Sequence, residues 1–249
     1  MSGHSKWHSI KHKKGAADKA RGKLFAVLIR QIEVAARAGG GDPESNSTLR
    51  TMIGKARDNS VPMDTIQRAI RRGTGEEEGV AYEAVTYEGY ASGGVAVIVQ
   101  ALTDNRNRTS AEVKNLFSRN GGNFAEPGAV AWQFDRRGVV HVDKAADEDE
   151  LMLAAADAGA DDVSDGGDVW LVTTAPTELH VVRTAIEAAG FAVKTADLTM
   201  VPTTTVSLDA ESAARSVLRL VDALEDHDDV EAVYANFDIP DAVLEAVTA

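Results

Sequence analysis

The apolar positions of this chain change rhythm at two places. From Ala16 they recur at three- and four-residue steps. Leu24, Val27, Leu28, Ile32 and Ala35 form one stripe, which predicts an amphipathic helix stopped by Gly39-Gly40-Gly41-Asp42-Pro43. Leu49, Met52, Ile53 and Ala56 line one side of a second helix over 46–58. Ser60-Val61-Pro62 opens a third, with Pro62 early in the first turn, where its missing N–H removes no hydrogen bond. Ile66, Ala69 and Ile70 face inward there, and Gly73 is the expected stop. Three short helices with brief loops predict a bundle over 16–75.

Beyond the polar linker Gly73-Thr74-Gly75-Glu76-Glu77-Glu78-Gly79 the period drops to two. Ala81–Tyr90 alternates, with Tyr82, Ala84 and Thr86 on one side. Gly94–Leu102 is a nearly continuous β-branched run and predicts a central strand. A helix over Ser110–Arg119 follows, ended by Gly121-Gly122, and Ala129–Phe134 predicts another strand. From Gly138 come strand Val139–Val142, helix Glu148–Ala158, and strands near Asp162–Ser164 and Asp168–Thr174. Helix Thr177–Ala189 and strand Phe191–Leu198 complete the set, the βαββαβ order of a ferredoxin-like unit. Strand Thr204–Leu208, helix Ala210–Leu224 and strand Val230–Phe237 close the chain.

The expected architecture is α+β: an N-terminal three-helix bundle followed by two α/β domains. Residues 80–134 and 203–249 pair as one discontinuous α/β domain across an inserted ferredoxin-like domain at 135–202. Residues 1–15 carry Gly3, Gly15 and little apolar periodicity, and are expected to form a flexible basic arm.

Charge sharpens that division. Met1–Arg72 holds 15 Lys and Arg against 6 Asp and Glu, a net of +9, while the remainder holds 11 against 33, a net of −22. A basic head on an acidic body predicts a polyanionic partner that docks at one end only. The absence of cysteine excludes disulfides, thiolate zinc sites and cysteine nucleophiles. The basic N-terminus has no apolar run behind it, so no secretory signal is expected, and no stretch suggests a membrane span. The expected location is the cytoplasm, with no membrane partner.

Candidate nucleic-acid contacts begin in the arm, with His4, Lys6, Trp7, His8, Lys11, His12, Lys13 and Lys14, and continue through Lys19 and Arg21. Long cations attract phosphates, and an indole offers a flat surface to a base. His4, His8 and His12 would align on a helix, but no Cys, Asp or Glu lies beside them to complete a metal site, so no metal is expected. Lys23, Arg30 and Arg37 repeat every seven residues on the first helix, as do Arg50 and Arg57 on the second, while Arg68, Arg71 and Arg72 cluster on the third. All lie off the apolar stripes, and acids are scarce within these helices, Glu33, Asp58 and Asp64 among them, which together predict a continuous outward basic surface.

In the body, Asp104-Asn105-Arg106-Asn107-Arg108-Thr109 follows the most β-rich strand and precedes a helix. Asn105, Arg106, Asn107 and Arg108 form a candidate anion-binding loop, extended by Lys114 and Arg119. The same loop also suits a helix cap, with Asn107 or Thr109 at the N-cap, and the two readings are compatible. No GxGxxG, GxxxxGK[ST], GxSxG or HExxH pattern occurs, and His141, His180 and His227 fall in separate elements. Neither enzymatic activity, a cofactor nor a small-molecule substrate is expected. The carboxylates of 143–168 and 222–231 are assigned to helix starts and turns, where they also keep polyanions off the body.

The opening GHSKWHSIKHKKGAADKARGKLF at 3–25 closely resembles that of the YebC/PmpR-type probable transcriptional regulators. The likeness continues through Pro62, Arg68–Gly75, Tyr87-Glu88-Gly89-Tyr90, Thr103–Thr109, Gly121-Gly122 and Val130-x-x-x-Phe134. It implies a three-domain cytoplasmic protein that binds DNA and regulates transcription. Within the same family a mitochondrial branch activates translation, and bacterial members are linked to stalled ribosomes. The alternative implied partner is therefore ribosomal RNA or tRNA, with the arm threading into an RNA-walled cavity.

Overall fold

The computed structural model describes residues 17–248, with helix α1 at Ala17–Gly39, α2 at Ser47–Asp58 and α3 at Met63–Thr74. Leu28, Ile32, Ala35, Leu49, Ile53, Ala56, Ile66 and Ala69 meet at the centre of this bundle. Ile32, Leu49 and Ile66 are fully buried, each contributing about 2 kcal/mol of apolar transfer. Asn46 ties two helices together: its Oδ1 accepts from Leu49 N at 3.0 Å as the α2 N-cap, while its Nδ2 donates to Ala35 O at 2.8 Å. The third helix runs past its expected stop. Gly73 lies inside α3 because a Cβ there would sit 2.5 Å from the Glu33 carbonyl oxygen and 2.7 Å from the Ala36 Cβ. Its bare backbone lets α3 pack directly on α1, and Gly75, at φ 83°, closes the helix instead.

The first sheet has strand order β3-β1-β2-β9, with β1 at Glu83–Tyr90, β2 at Ala96–Thr103, β3 at Asn123–Ala125 and β9 at Val230–Ala235. All its pairings are antiparallel. As the β-branched run predicts, β2 is central and buried on both faces. Val97 and Val99 meet α4 (Arg106–Arg119) and α7 (Glu211–Glu225), whereas Ala96 and Ile98 pack on Val130 and Phe134. Short strands β8 (Val206–Ser207) and β10 (Phe237–Asp238) pair in parallel, and helix α8 (Asp241–Thr248) ends the described chain. Neither β3 nor α8 was expected.

Residues 134–202 form the second sheet, order β5-β6-β4-β7, from β4 (Phe134–Asp143), β5 (Asp162–Asp165), β6 (Val169–Thr174) and β7 (Val193–Pro202). Its neighbours are antiparallel throughout, and α5 (Glu148–Asp157) and α6 (Leu179–Ala188) pack on it, the split-βαβ arrangement of a ferredoxin-like unit. The α+β class of bundle followed by α/β units is as predicted.

Two further local expectations fail. Residues 129–134 are not a strand: a 3₁₀ turn at Ala131–Gln133 leads into β4, which starts at Phe134. The Glu88 carboxylate accepts from the N–H groups of Gly128, Val130 and Ala131 at 2.6, 2.7 and 2.8 Å, so those donors cannot join a ladder. Burial pushes the Glu88 carboxyl up, but the three donors hold it below the ordinary glutamate range. The other failure is the start of α4, which begins four residues early, at Arg106.

The bundle and the first sheet keep separate apolar cores. Between them lies a cleft of about 510 Å³ lined by Gln31, Val34, Ala38, Met52, Leu102 and Glu231.

Candidate nucleic-acid interface

The seven-residue spacing on α1 does place its cations along one face, but that face meets the body. Lys23 Nζ donates to the carbonyls of Glu225 and His227, the latter at 2.6 Å. Glu225 is the last residue of α7, so the ammonium satisfies a helix end where carbonyls lack intrahelical partners and the dipole is negative. Burial holds the Lys23 ammonium below the ordinary lysine range, although the Asp226, Asp228 and Glu225 carboxylates oppose that shift. Two turns further, Arg30 donates to the Asp228 carbonyl and lies 3.5 Å from the Asp229 carboxylate. Arg37, nearer the surface, donates to the Val80 carbonyl at 3.0 Å. The expected outward surface is therefore corrected for Lys23, Arg30 and Arg37: they bind the acidic loop after α7 and the linker.

Asp229 is the hub of that contact. Its Oδ2 accepts from Thr109 Oγ1 at 2.7 Å, Arg108 Nη2 at 2.8 Å and Thr103 Oγ1 at 3.3 Å. Desolvation pushes its carboxyl up, but the Thr109 and Arg108 donors hold it below the ordinary aspartate value. Asp229 thus has a pairing role that a turn or cap assignment missed. The Thr103–Thr109 segment carried part of the signal, as two threonines and an arginine that needed a buried acceptor. His227 Nδ1 accepts from Asp229 N at 3.1 Å, which assigns the proton of the neutral ring to Nε2, 2.9 Å from Glu112 Oε2. Glu112, His227 and Asp229 bring donor atoms within 4.8 Å of one another. Arg108 and Arg30 already neutralise Asp229, and the His227 ring bridges Asp229 N and Glu112, so the trio is tied into one polar network with the two arginines.

The candidate anion loop changes in the same way. Asn105 is the N-cap, its Oδ1 accepting from Arg108 N at 3.1 Å, in place of Asn107 or Thr109. Arg108 pairs with Asp104 and Asp229. Arg106, Asn107 and Arg108 are all exposed, and Arg106 makes no ion pair with another described residue.

The other bundle arginines divide. Arg72 pairs with buried Glu33, and Arg71 with Glu77 at 2.6 Å, so neither is an uncommitted surface charge. Arg50 makes local bonds to the carbonyls of Pro43 and Glu44 yet stays half exposed. Arg57 is exposed and reaches the Met63 sulfur at 3.9 Å, and exposed Arg68 makes no side-chain bond to another described residue. Arg50, Arg57 and Arg68 are thus the cations that α2 and α3 turn to solvent. Nearby Lys55 pairs with Asp197 of the second sheet. His4, Lys6, Trp7, His8, Lys11, His12, Lys13 and Lys14 lie outside the described residues, as do the side chains of Lys19 and Arg21 on α1. Trp132, which no sequence pattern singled out, is 72% exposed with its Nε1 donating to Ala129 O at 3.0 Å.

No helix among the described residues is long and apolar enough to cross a membrane. The TACO1/YebC protein N-terminal domain matches residues 5–76, and the TACO1/YebC second and third domain matches 82–237. A protein of Halothermothrix orenii is 53% identical over 100% of this chain and 99% of its own, and one of Thermobifida fusca is 53% identical over 100% of both. Each is named a probable transcriptional regulatory protein. The crystal structure of a conserved hypothetical protein from Aquifex aeolicus superposes with a TM-score of 0.82 at 47% identity, covering 90% of this chain and 93% of that one. The chain belongs to the TACO1/YebC family.

Proposed function

We propose that this protein is a DNA-binding regulator of transcription, with the N-terminal arm and the solvent-facing arginines of α2 and α3 as its contact surface. The observation that carries this reading is the segregation of charge: a net of +9 over residues 1–72 against −22 over the rest. Arm lysines and Arg50, Arg57 and Arg68 contact phosphates and release counterions, while the acidic body is repelled and sets the orientation. The names of the full-length relatives support a regulatory role over an enzymatic one.

Titrating a fluorescent promoter-length duplex, a scrambled duplex and purified ribosomes across a salt series tests this. Saturable duplex binding with site preference at physiological salt is expected. Saturable ribosome binding without any duplex preference would overturn the DNA reading and move the same surface to translation.

A further inference from the structure

Glu225-Asp226-His227-Asp228-Asp229 places four carboxylates in five residues, and its carbonyls at 225, 227 and 228 with the Asp229 carboxylate hold Lys23 and Arg30 of α1. We infer that this loop is an internal stand-in for a nucleic-acid backbone, which it must give way to when the basic end is occupied. The inference rests on the nucleic-acid reading above and adds its regulation.

Three observations carry it. The loop occupies Lys23 and Arg30, the cations that continue the arm's series Lys19 and Arg21 along the chain. The fit is also incomplete, because Arg30 Nε is buried without a hydrogen-bond partner. A phosphate, with more acceptor oxygens than the loop presents there, answers that donor. Finally, bundle and body are joined by polar pins around an open cleft, with separate apolar cores. Exchanging one anion for another at Lys23 and Arg30 therefore breaks no shared hydrophobic core. Displacement leaves the Lys55–Asp197 pair, the Arg37 bond and the linker to hold the bundle, so it can shift against the body and occupancy at one end changes the geometry of the whole protein. The loop also excludes weak polyanions that cannot add contacts at the arm, Arg57 and Arg68.

Neutralising Asp226 and Asp228 together (D226N/D228N) tests this, because the carbonyls of 225, 227 and 228 and the Asp229 carboxylate all remain. The matched control is D149N/D157N, which removes equal charge from exposed positions on α5. The chain has no cysteine, so dyes at Ser47→Cys and Ser118→Cys report the bundle–body distance by energy transfer. D226N/D228N is expected to bind a short duplex DNA roughly five-fold tighter than the control. The wild-type dye distance should change on saturation with duplex, and part of that change should be present in D226N/D228N before any duplex is added. An unchanged distance at saturation, or equal gains in both neutralised variants, makes the loop a permanent joint and overturns the inference while duplex binding stands. If no variant binds duplex, the DNA reading falls and the inference falls with it.

Discussion

Helices α1 and α2 carry the same sequence device and use it in opposite ways. On α1, Lys23, Arg30 and Arg37 repeat at seven residues and all bind other parts of the chain. On α2, Arg50 and Arg57 repeat at the same interval and stay largely in solvent. The spacing sets a face in both cases. What the face meets depends on where the bundle sits: α1 lies beside the end of α7, whose carbonyls and neighbouring carboxylates draw cations in. Heptad-spaced arginines thus report a polar face, and their partner is a separate question.

Four variants bear on the contrast, in falling order of effect. Asp229→Ala should remove about 3 kcal/mol from the stability of the joined bundle and sheet in urea unfolding, because half-buried Arg30 loses its carboxylate and Thr103 and Thr109 lose their acceptor. If stability does not move, Asp229 is not the hub of the clasp. Acidification acts on the same group. Since its folded pKa is depressed, its contribution is complete above the unfolded aspartate value and disappears as pH falls through the folded value. A urea midpoint series on wild type and D229A should therefore converge at low pH.

Arg72→Ala comes next, at about 2 kcal/mol, because it leaves the Glu33 carboxylate buried without its guanidinium. Thermal unfolding should show the loss, and near-neutral behaviour would return Arg72 to the surface set. Changing Arg57 and Arg68 together to Ala should alter stability by no more than about 0.5 kcal/mol. Their effect should appear instead in duplex binding, where the slope of log affinity against log salt falls by roughly 2. A destabilised double variant with an unchanged slope would erase the distinction between the helices. Arg37→Ala, the smallest, removes one exposed bond to the Val80 carbonyl just past the linker and should change stability by at most about 0.5 kcal/mol. A larger loss in urea would make the linker contact part of the clasp.

Much of the architecture was legible because it rests on local pattern. The stripe Leu28, Ile32, Ala35 predicted the buried side of α1, and the run 94–102 predicted a central strand. The misses have non-local causes. Gly73 looked like a helix stop but is a contact point for α1, and residues 129–134 looked extended until Glu88, some forty positions earlier, claimed their N–H groups. The candidate site was legible as a composition, a basic head and an acidic body, and less so as a surface. Lys23, Arg30, Arg72 and Arg108 have the charge expected of phosphate contacts, yet partners at 225, 229, 33 and 229 engage them.

By itself the sequence determined most of the order of elements, the apolar stripes of the bundle helices and the separation of positive from negative charge, since helical and strand periods and net charge are properties of neighbouring residues. Only the tertiary structure decided which cations look outward and which are held by the 225–229 loop. A helix face acquires its electrostatic partner from whatever packs beside it, and here that partner lies two hundred residues further along the chain.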